Sequence, residues 1–340
     1  MTTNKPNLKF SILITTYNAE DIVEETLKSI LSQSYSNFEV IISDDRSTDK
    51  TVSVVKKIQD KRIVIYQNDH NLGYPGNMEV GRQKCRGDIL YLMGQDDILG
   101  EGALQNTYNA FKISPNIGAV TRPYFWFSSN VCVPVRAKKQ LNPNKDEVVS
   151  IFDEKERVIR VIDTLDQLSG LAFRTKFIDR PFHQDIFPCH IYPFLSIFKE
   201  HPVVFLKDYN LAVRIGHSQA RHVSSIYDKS PLLSWVQLAK TVLHEKKYHP
   251  IRNYLINDFI ARNYVGLVQI KNFARFRYLL REIYYLIKFR PLNLLEPLFW
   301  FFSLGTIITP ASILIPMVDK YKDTIYTLKL RDIKFSYSPK

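Results

Sequence analysis

The stretch Phe10-Ser11-Ile12-Leu13-Ile14-Thr15-Thr16-Tyr17-Asn18 decides how this chain is built: an apolar, β-branched run that stops abruptly in polar groups. A strand buried on both faces of a sheet reads this way. Next along the chain, residues 20–33 place Ile22, Val23, Leu27, Ile30 and Leu31 at helical spacing. Residues 38–43 read as a second strand, running into Asp44-Asp45-Arg46-Ser47-Thr48-Asp49. From Ser47 or Thr48, a natural N-cap, a helix should extend through Lys57. A third strand at 63–66, a helix at 76–86 and a fourth strand at 89–93 follow, the last entering Gly94-Gln95-Asp96-Asp97. Strands and helices that alternate with short connections predict an α/β fold with a parallel, doubly wound sheet. Three strand ends then carry hydroxyls, amides and carboxylates to one edge, where open sheets of this kind bind ligands.

The chemistry of that edge narrows the choice. Gathered carboxylates suit a sugar and a divalent cation, not a bare phosphate. A dinucleotide site needs a Gly-rich first turn so that backbone can approach a pyrophosphate. Here the turn is Thr-Thr-Tyr-Asn, and no glycine precedes Gly73. That argues against an oxidoreductase. A nucleotidyltransferase would want a Gly-rich first loop bearing Lys or Arg, which is also missing. Asn71-Leu72-Gly73 predicts a loop with its glycine at positive φ.

Taken together, the four segments 11–18, 42–49, 71–77 and 87–97, in this order and spacing, resemble the family 2 glycosyltransferases. These are nucleotide-sugar-dependent enzymes of the GT-A fold, and the likeness covers roughly residues 8–122. It implies a GT-A-type doubly wound, mostly parallel sheet flanked by helices, and places Thr15, Thr16, Tyr17 and Asn18 around the nucleotide. Asp44 or Asp45 would accept hydrogen bonds from base or ribose, and Asn71, Gly73, Asn77, Gln95 and Asp96 complete the donor site. Asp96 and Asp97 match the end of the family's acidic metal motif, so Mg2+ or Mn2+ is the implied cofactor, held on carboxylate and diphosphate oxygens. The family usually shows Asp-x-Asp-Asp here, whereas this chain has Gly94 first; rhamnosyltransferase-like members share its Gln-Asp-Asp ending.

In the second half, residues 118–122 read as a strand, 123–145 lack a regular pattern, 153–162 form a charged helix, and 168–174 suggest a strand on the acceptor side. The resemblance implies an inverting reaction whose base is a carboxylate in a later motif, usually Glu-Asp at the start of a helix that precedes a strand by about three turns. With 191–200 as that helix and 203–206 as that strand, the pair falls on Cys189-His190, and the nearest acid is Asp185. Two assignments stay open, Asp185 or His190, an imidazole being well suited to take a proton near neutral pH. Arg214, His217, Ser218 and Gln219 resemble the family's positively charged segment near the diphosphate.

The chain has 340 residues, 46 Lys and Arg against 34 Asp and Glu, and three cysteines without metal or redox spacing, which fits a reducing cytosol. Residues 1–9 are polar and lack an apolar signal region, so export is not expected. Charge is uneven: residues 1–120 hold 13 Lys and Arg against 15 acids, residues 240–296 hold 11 against 4. That basic stretch is interleaved with aromatics, a pattern that serves nucleic acid or a membrane surface. Residues 298–318 carry no charge, about the length that spans a bilayer, with Pro310 and Pro316 interrupting. Membrane is therefore expected over nucleic acid, as a span or a pair of short re-entrant helices at the cytoplasmic side of the cell membrane.

The resulting expectation is a glycosyltransferase domain at 1–225, a basic helical membrane-associated region at 226–325 and a tail at 326–340. A lipid-linked saccharide or glycolipid for a surface polysaccharide is the expected acceptor. The competing class is a non-catalytic scaffold that keeps nucleotide binding.

Overall fold

The computed structural model describes residues 7–215, 224–321, 330 and 332–338. The chain divides into two compact units: Met1–Gln184 with Cys189–Arg214 and Asp332–Lys340, and Asp185–Pro188 with Ile215–Arg331.

The first unit is built on an eight-stranded mixed sheet. Its strands are β1 (Phe10–Thr16), β2 (Phe38–Asp44), β3 (Ile63–Gln67), β4 (Ile89–Met93), β6 (Ala119–Thr121), β9 (Glu147–Val149), β10 (Ala172–Arg174) and β11 (Val203–Phe205). Their order is β3-β2-β1-β4-β10-β6-β11-β9. The first four run parallel, as the alternation predicted; β10 is antiparallel to both neighbours and β9 to β11. Ile12, Ile14, Val40, Ile42, Tyr91 and Met93 make the buried centre, packed by Val23, Leu27 and Ile30 of helix α1 (Val23–Leu31). Glu24 and Glu25 in its first turn and Lys28 in its last complement the helix dipole.

Three differences from the sequence expectation follow from local competition. Helix α2 (Thr51–Lys57) begins after Lys50 with no side-chain cap. The Ser47 hydroxyl, expected to cap it, instead donates to Asp44 at 2.5 Å and accepts from the Asn18 amide at 3.0 Å. Helix α3 (Gly73–Lys84) starts at the glycine itself, whose φ of +72° matches the expected left-handed conformation. Of residues 168–174 only β10 is strand, because 167–169 turn inward as a loop described below.

A second, four-stranded sheet escaped the sequence because its strands are too short to show a period: β5 (Ile98–Leu99), β7 (Phe125–Phe127), β8 (Arg136–Ala137) and β12 (Leu211–Arg214), ordered β5-β12-β7-β8. Ile98, Phe125, Phe127 and Ala212 form its apolar centre, onto which Ile333, Phe335 and Tyr337 pack. The Glu101 amide donates to the Ser336 carbonyl at 2.9 Å. Residues 332–338, read in the sequence as a tail, thus belong to this unit. Helices α4 (Ala103–Lys112), α5 (Lys155–Asp163) and α6 (Ile191–Glu200) complete it.

The second unit is helical. It contains α7 (Pro231–Val242), α8 (His249–Tyr254), α9 (Gly266–Phe273), α10 (Phe276–Phe289), α11 (Pro297–Ile308) and α12 (Ala311–Tyr321). The apolar run at 298–318 is thereby two short helices parted before Pro310, with Pro316 inside the second. Among the described residues no helix is long and apolar enough to cross a membrane. The run is thus two short helices and not one long one.

Candidate active site

The carboxyl ends of β1, β2 and β4 carry the expected residues to one edge of the large sheet, and their hydrogen bonds separate those that brace the edge from those that face outward. Asp44 is wholly buried and accepts from Thr16 Oγ1 at 3.0 Å, Ser47 Oγ at 2.5 Å, Ser47 N at 3.0 Å and Gln67 Nε2 at 3.0 Å. A carboxylate so committed is a brace; of the two acids expected to meet base or ribose, Asp45 is the one left. One oxygen of Asp45 accepts from the Leu72 amide at 2.7 Å and Asn68 Nδ2 at 3.0 Å. Among the described residues its other oxygen takes no hydrogen bond.

Asn77, expected to contact the donor, is buried and spent on β2: its amide donates to the Ser43 carbonyl at 2.8 Å and its oxygen accepts from Ser43 Oγ at 2.7 Å. Asn71 donates to the Asp45 carbonyl at 3.2 Å and accepts from the Gly73 amide at 3.0 Å, shaping the turn into α3. Gln95 is likewise a brace. Its oxygen accepts from the Tyr17 amide at 2.8 Å and its nitrogen donates to the Tyr17 carbonyl at 3.3 Å, fixing the backbone beneath an exposed Tyr17 ring. Thr15 is half-buried at the end of β1. Asn18 and Arg46 both sit at positive φ, +49° and +64°, where non-glycine residues are uncommon. Asn18 Oδ1 accepts from the Thr48 amide at 2.9 Å, so the β1 and β2 loops are tied together.

The acidic loop after β4 departs most from expectation. Asp97, read as a metal ligand, is 2% exposed and turned into the protein. It accepts from Ser169 Oγ at 2.5 Å, Gln167 Nε2 at 3.2 Å and the Arg214 amide at 3.0 Å. Burial, and then the neighbouring Asp96 carboxylate, push its pKa up to about 8. Three donors occupy the carboxylate, so the second ligand role is corrected: Asp97 anchors the loop. Asp96 is half-buried on that loop. Its carbonyl accepts from Arg214 Nε at 3.0 Å, while the Arg214 guanidinium also pairs with Glu25. Arg214 was expected beside a diphosphate and instead pins the loop; His217, Ser218 and Gln219 lie outside the described residues.

Behind Asp97 stands a residue that the sequence did not single out. Arg122 is fully buried, and its guanidinium donates to the carbonyls of Thr164 at 3.3 Å, Gln167 at 2.8 Å and Ser169. Burial lowers its pKa to about 10. By gathering three carbonyls it curls residues 164–169 so that Gln167 and Ser169 meet Asp97. Ser169 lies 72 positions from Asp97, and no spacing rule links them.

His190, one of the two expected bases, sits at the N-cap of α6. Its Nε2 lies 2.8 Å from the Leu165 carbonyl and its Nδ1 3.4 Å from the Tyr74 hydroxyl. A carbonyl can only accept, so Nε2 carries the proton. Burial lowers the pKa to about 4. Both nitrogens are occupied and the ring is weakly basic, which corrects the His190 assignment to a core role. Asp185 is also buried, and belongs to the second unit.

A cation fits this edge in one way. Among the described residues no three His, Cys, Asp or Glu side chains converge as a cage. Mg2+ is commonly bound by one or two carboxylates together with substrate phosphates and water. Asp96 alone satisfies that mode; the charge that completes it would come from a diphosphate.

Residues 11–146 match the sequence model described as Glycosyl transferase family 2. Over 87 residues the chain is 38% identical to the Escherichia coli UDP-Glc:alpha-D-GlcNAc-diphosphoundecaprenol beta-1,3-glucosyltransferase WfaP, covering 26% of this chain and 35% of that one. Over 103 residues it is 32% identical to the Staphylococcus aureus poly(ribitol-phosphate) beta-N-acetylglucosaminyltransferase TarS, covering 29% of this chain and 18% of that one. The crystal structure of S. aureus TarS 1–349 with UDP-GlcNAc superposes with a TM-score of 0.65 over 92% of both chains, at 16% identity. The architecture is accordingly GT-A-like. The chain spans about a third of the curated relatives it matches, 28%, 40% and 35% for three of them.

Proposed function

We propose that this chain transfers a sugar from a nucleotide-diphosphate donor to a lipid-linked saccharide or glycolipid acceptor, with inversion, at the cytoplasmic side of a cell membrane. One observation carries the reading. Within the family-matched segment, Tyr17, Asp45 and the Asp96 loop all follow the carboxyl ends of the adjacent strands β1, β2 and β4. Tyr17 would stack on the base, Asp45 would take a base or ribose N–H or O–H, and Asp96 with the diphosphate would hold Mg2+ or Mn2+. A bound cation would stabilise charge developing on the diphosphate as the glycosidic bond breaks. Asp185 is the acid left to accept the acceptor's proton.

The relatives support the donor and acceptor classes: WfaP is named for UDP-Glc and a diphosphoundecaprenol-linked acceptor, and TarS was solved with UDP-GlcNAc. A non-catalytic nucleotide-binding scaffold is the second reading, favoured by the inward turn of Asp97 and the absent acid at Gly94. Thermal-shift binding of a nucleotide-sugar panel, followed by transfer to a polyprenyl-diphosphate saccharide with and without Mn2+, tests both. Binding with transfer supports the enzyme; binding without transfer or donor hydrolysis supports the scaffold; absence of binding overturns both.

A further inference from the structure

Helix α11 is built inside out. The positions it buries are Phe299, Ser303 and Thr306, the two hydroxyl residues each 2% exposed. Thr306 satisfies itself by donating to the Phe302 carbonyl at 2.7 Å. Its outward positions are Leu298, Trp300, Phe301, Leu304 and Ile308, with Phe301 70% and Ile308 74% exposed. A helix on a water-facing surface has the opposite arrangement, apolar inward and polar outward.

The inversion extends on both sides. In the turn before α11, Asn293 is buried and donates to the carbonyls of Ala261 and Leu286 at 2.8 Å, while Leu292, Leu294 and Leu295 point out, Leu295 being 80% exposed. Ile313 and Met317 of α12 are exposed as well. Ten large apolar side chains between residues 292 and 317 therefore face outward around a buried asparagine, serine and threonine. An exposed apolar surface of this extent marks an interaction site.

The charge beside it names the partner. Of the cations in residues 275–290, Arg275, Arg277 and Lys288 are exposed, whereas Arg281 pairs with the buried Glu282 and Arg290 with Glu296. Phe276, Leu280 and Tyr284 are exposed on α10 at four-residue spacing, and α9 packs against α10, α11 and α12 alike. An apolar face flanked by aromatics and cations matches the interface of an anionic bilayer. A second copy meeting this face about a two-fold axis would bring the same cations together. We infer that the helical unit seats on an anionic lipid surface through the outward face of residues 292–317, with the exposed Arg275, Arg277 and Lys288 at the headgroups. Twelve residues of α11 reach about 18 Å at about 1.5 Å per residue, short of the roughly 30 Å hydrocarbon core, so the helix lies in the interface and does not cross it. This deepens the lipid-linked acceptor reading by assigning the surface on which that acceptor would be met.

Flotation of the full chain with vesicles, without nucleotide or acceptor, reads this contact separately from sugar transfer. Binding is expected to phosphatidylglycerol-containing vesicles, and more weakly to phosphatidylcholine alone. The double variant Phe301→Gln/Ile308→Gln should weaken binding at least about tenfold, since burying either side chain contributes that much. Arg275→Gln/Arg277→Gln should weaken only the phosphatidylglycerol-dependent part, and more so at low salt. Unchanged far-ultraviolet circular dichroism and melting temperature, read without donor, would confirm that the variants fold. The inference is overturned if the full chain fails to float with either vesicle, or if Phe301→Gln/Ile308→Gln floats like the parent. It is equally overturned if the parent is an oligomer that this variant dissociates and that does not bind vesicles.

Discussion

Replacing Gly94 by Asp would restore the acid that the family pattern usually carries, and the geometry predicts that it harms the folded chain. A Cβ there would lie 3.0 Å from Ser169 Oγ and 3.1 Å from both Asp96 Oδ1 and Asp97 Oδ2. These neighbours have little room to yield: Ser169 binds the Gly94 amide at 2.7 Å and Asp97 at 2.5 Å, and Gln167 and Arg214 hold Asp97 as well. Overpacking costs about 1–3 kcal/mol. Removing glycine's freedom from the unfolded chain returns about 0.4–1 kcal/mol. Gly94→Ala should therefore destabilise by up to about 2.6 kcal/mol. Asp adds a carboxylate beside Asp96. Two like charges about 4 Å apart at an effective dielectric of about 20 repel by about 4 kcal/mol, and the partial exposure of Asp96 reduces this to about 1–3 kcal/mol beyond the alanine variant. Urea unfolding in EDTA measures both. Excess Mn2+ should recover part of the loss for Asp and none for Ala. A Gly94→Asp protein as stable in EDTA as Gly94→Ala would refute the reasoning.

Three further outcomes are expected. Asp96→Asn should abolish Mn2+-stimulated transfer while donor-free protein still folds; full activity in this variant or in EDTA would remove the metal from the mechanism. Asp185→Asn should lower kcat by about 10²–10⁴-fold with donor affinity unchanged, the loss typical of a missing general base; a mild effect in single-turnover kinetics would exclude it. His190 should make stability fall as pH drops. The buried ring has a pKa near 4 against an ordinary 6.5, so the unfolded chain binds the proton first. Its contribution is complete above about pH 6.5 and is lost toward pH 4 at up to about 1.4 kcal/mol per pH unit. Urea titrations of His190→Gln should lack that slope, and a slope identical to the parent's would sink the assignment.

How far the sequence reaches depends on the range of the interactions involved. Strands β1 to β4 and their helices were legible because burial on both faces demands unbroken apolar runs and the intervening helices demand their own period. The positions of Tyr17, Asp45 and Asp96 at one edge follow from that alternation alone. What each polar group does there is decided by partners distant in the chain. Asp44 and Asp45 are adjacent and chemically identical, yet one accepts from four donors over both oxygens and the other from two, both on a single oxygen. Asp97 points inward because Arg122 draws three carbonyls together and so brings Ser169 and Gln167 against it. Composition likewise revealed an uncharged run at 298–318, but only packing decides which side of a helix faces outward. Hydrophobic periodicity is a local property of the backbone, whereas the satisfaction of a buried carboxylate or hydroxyl is settled by whichever donors the completed fold brings within about 3 Å.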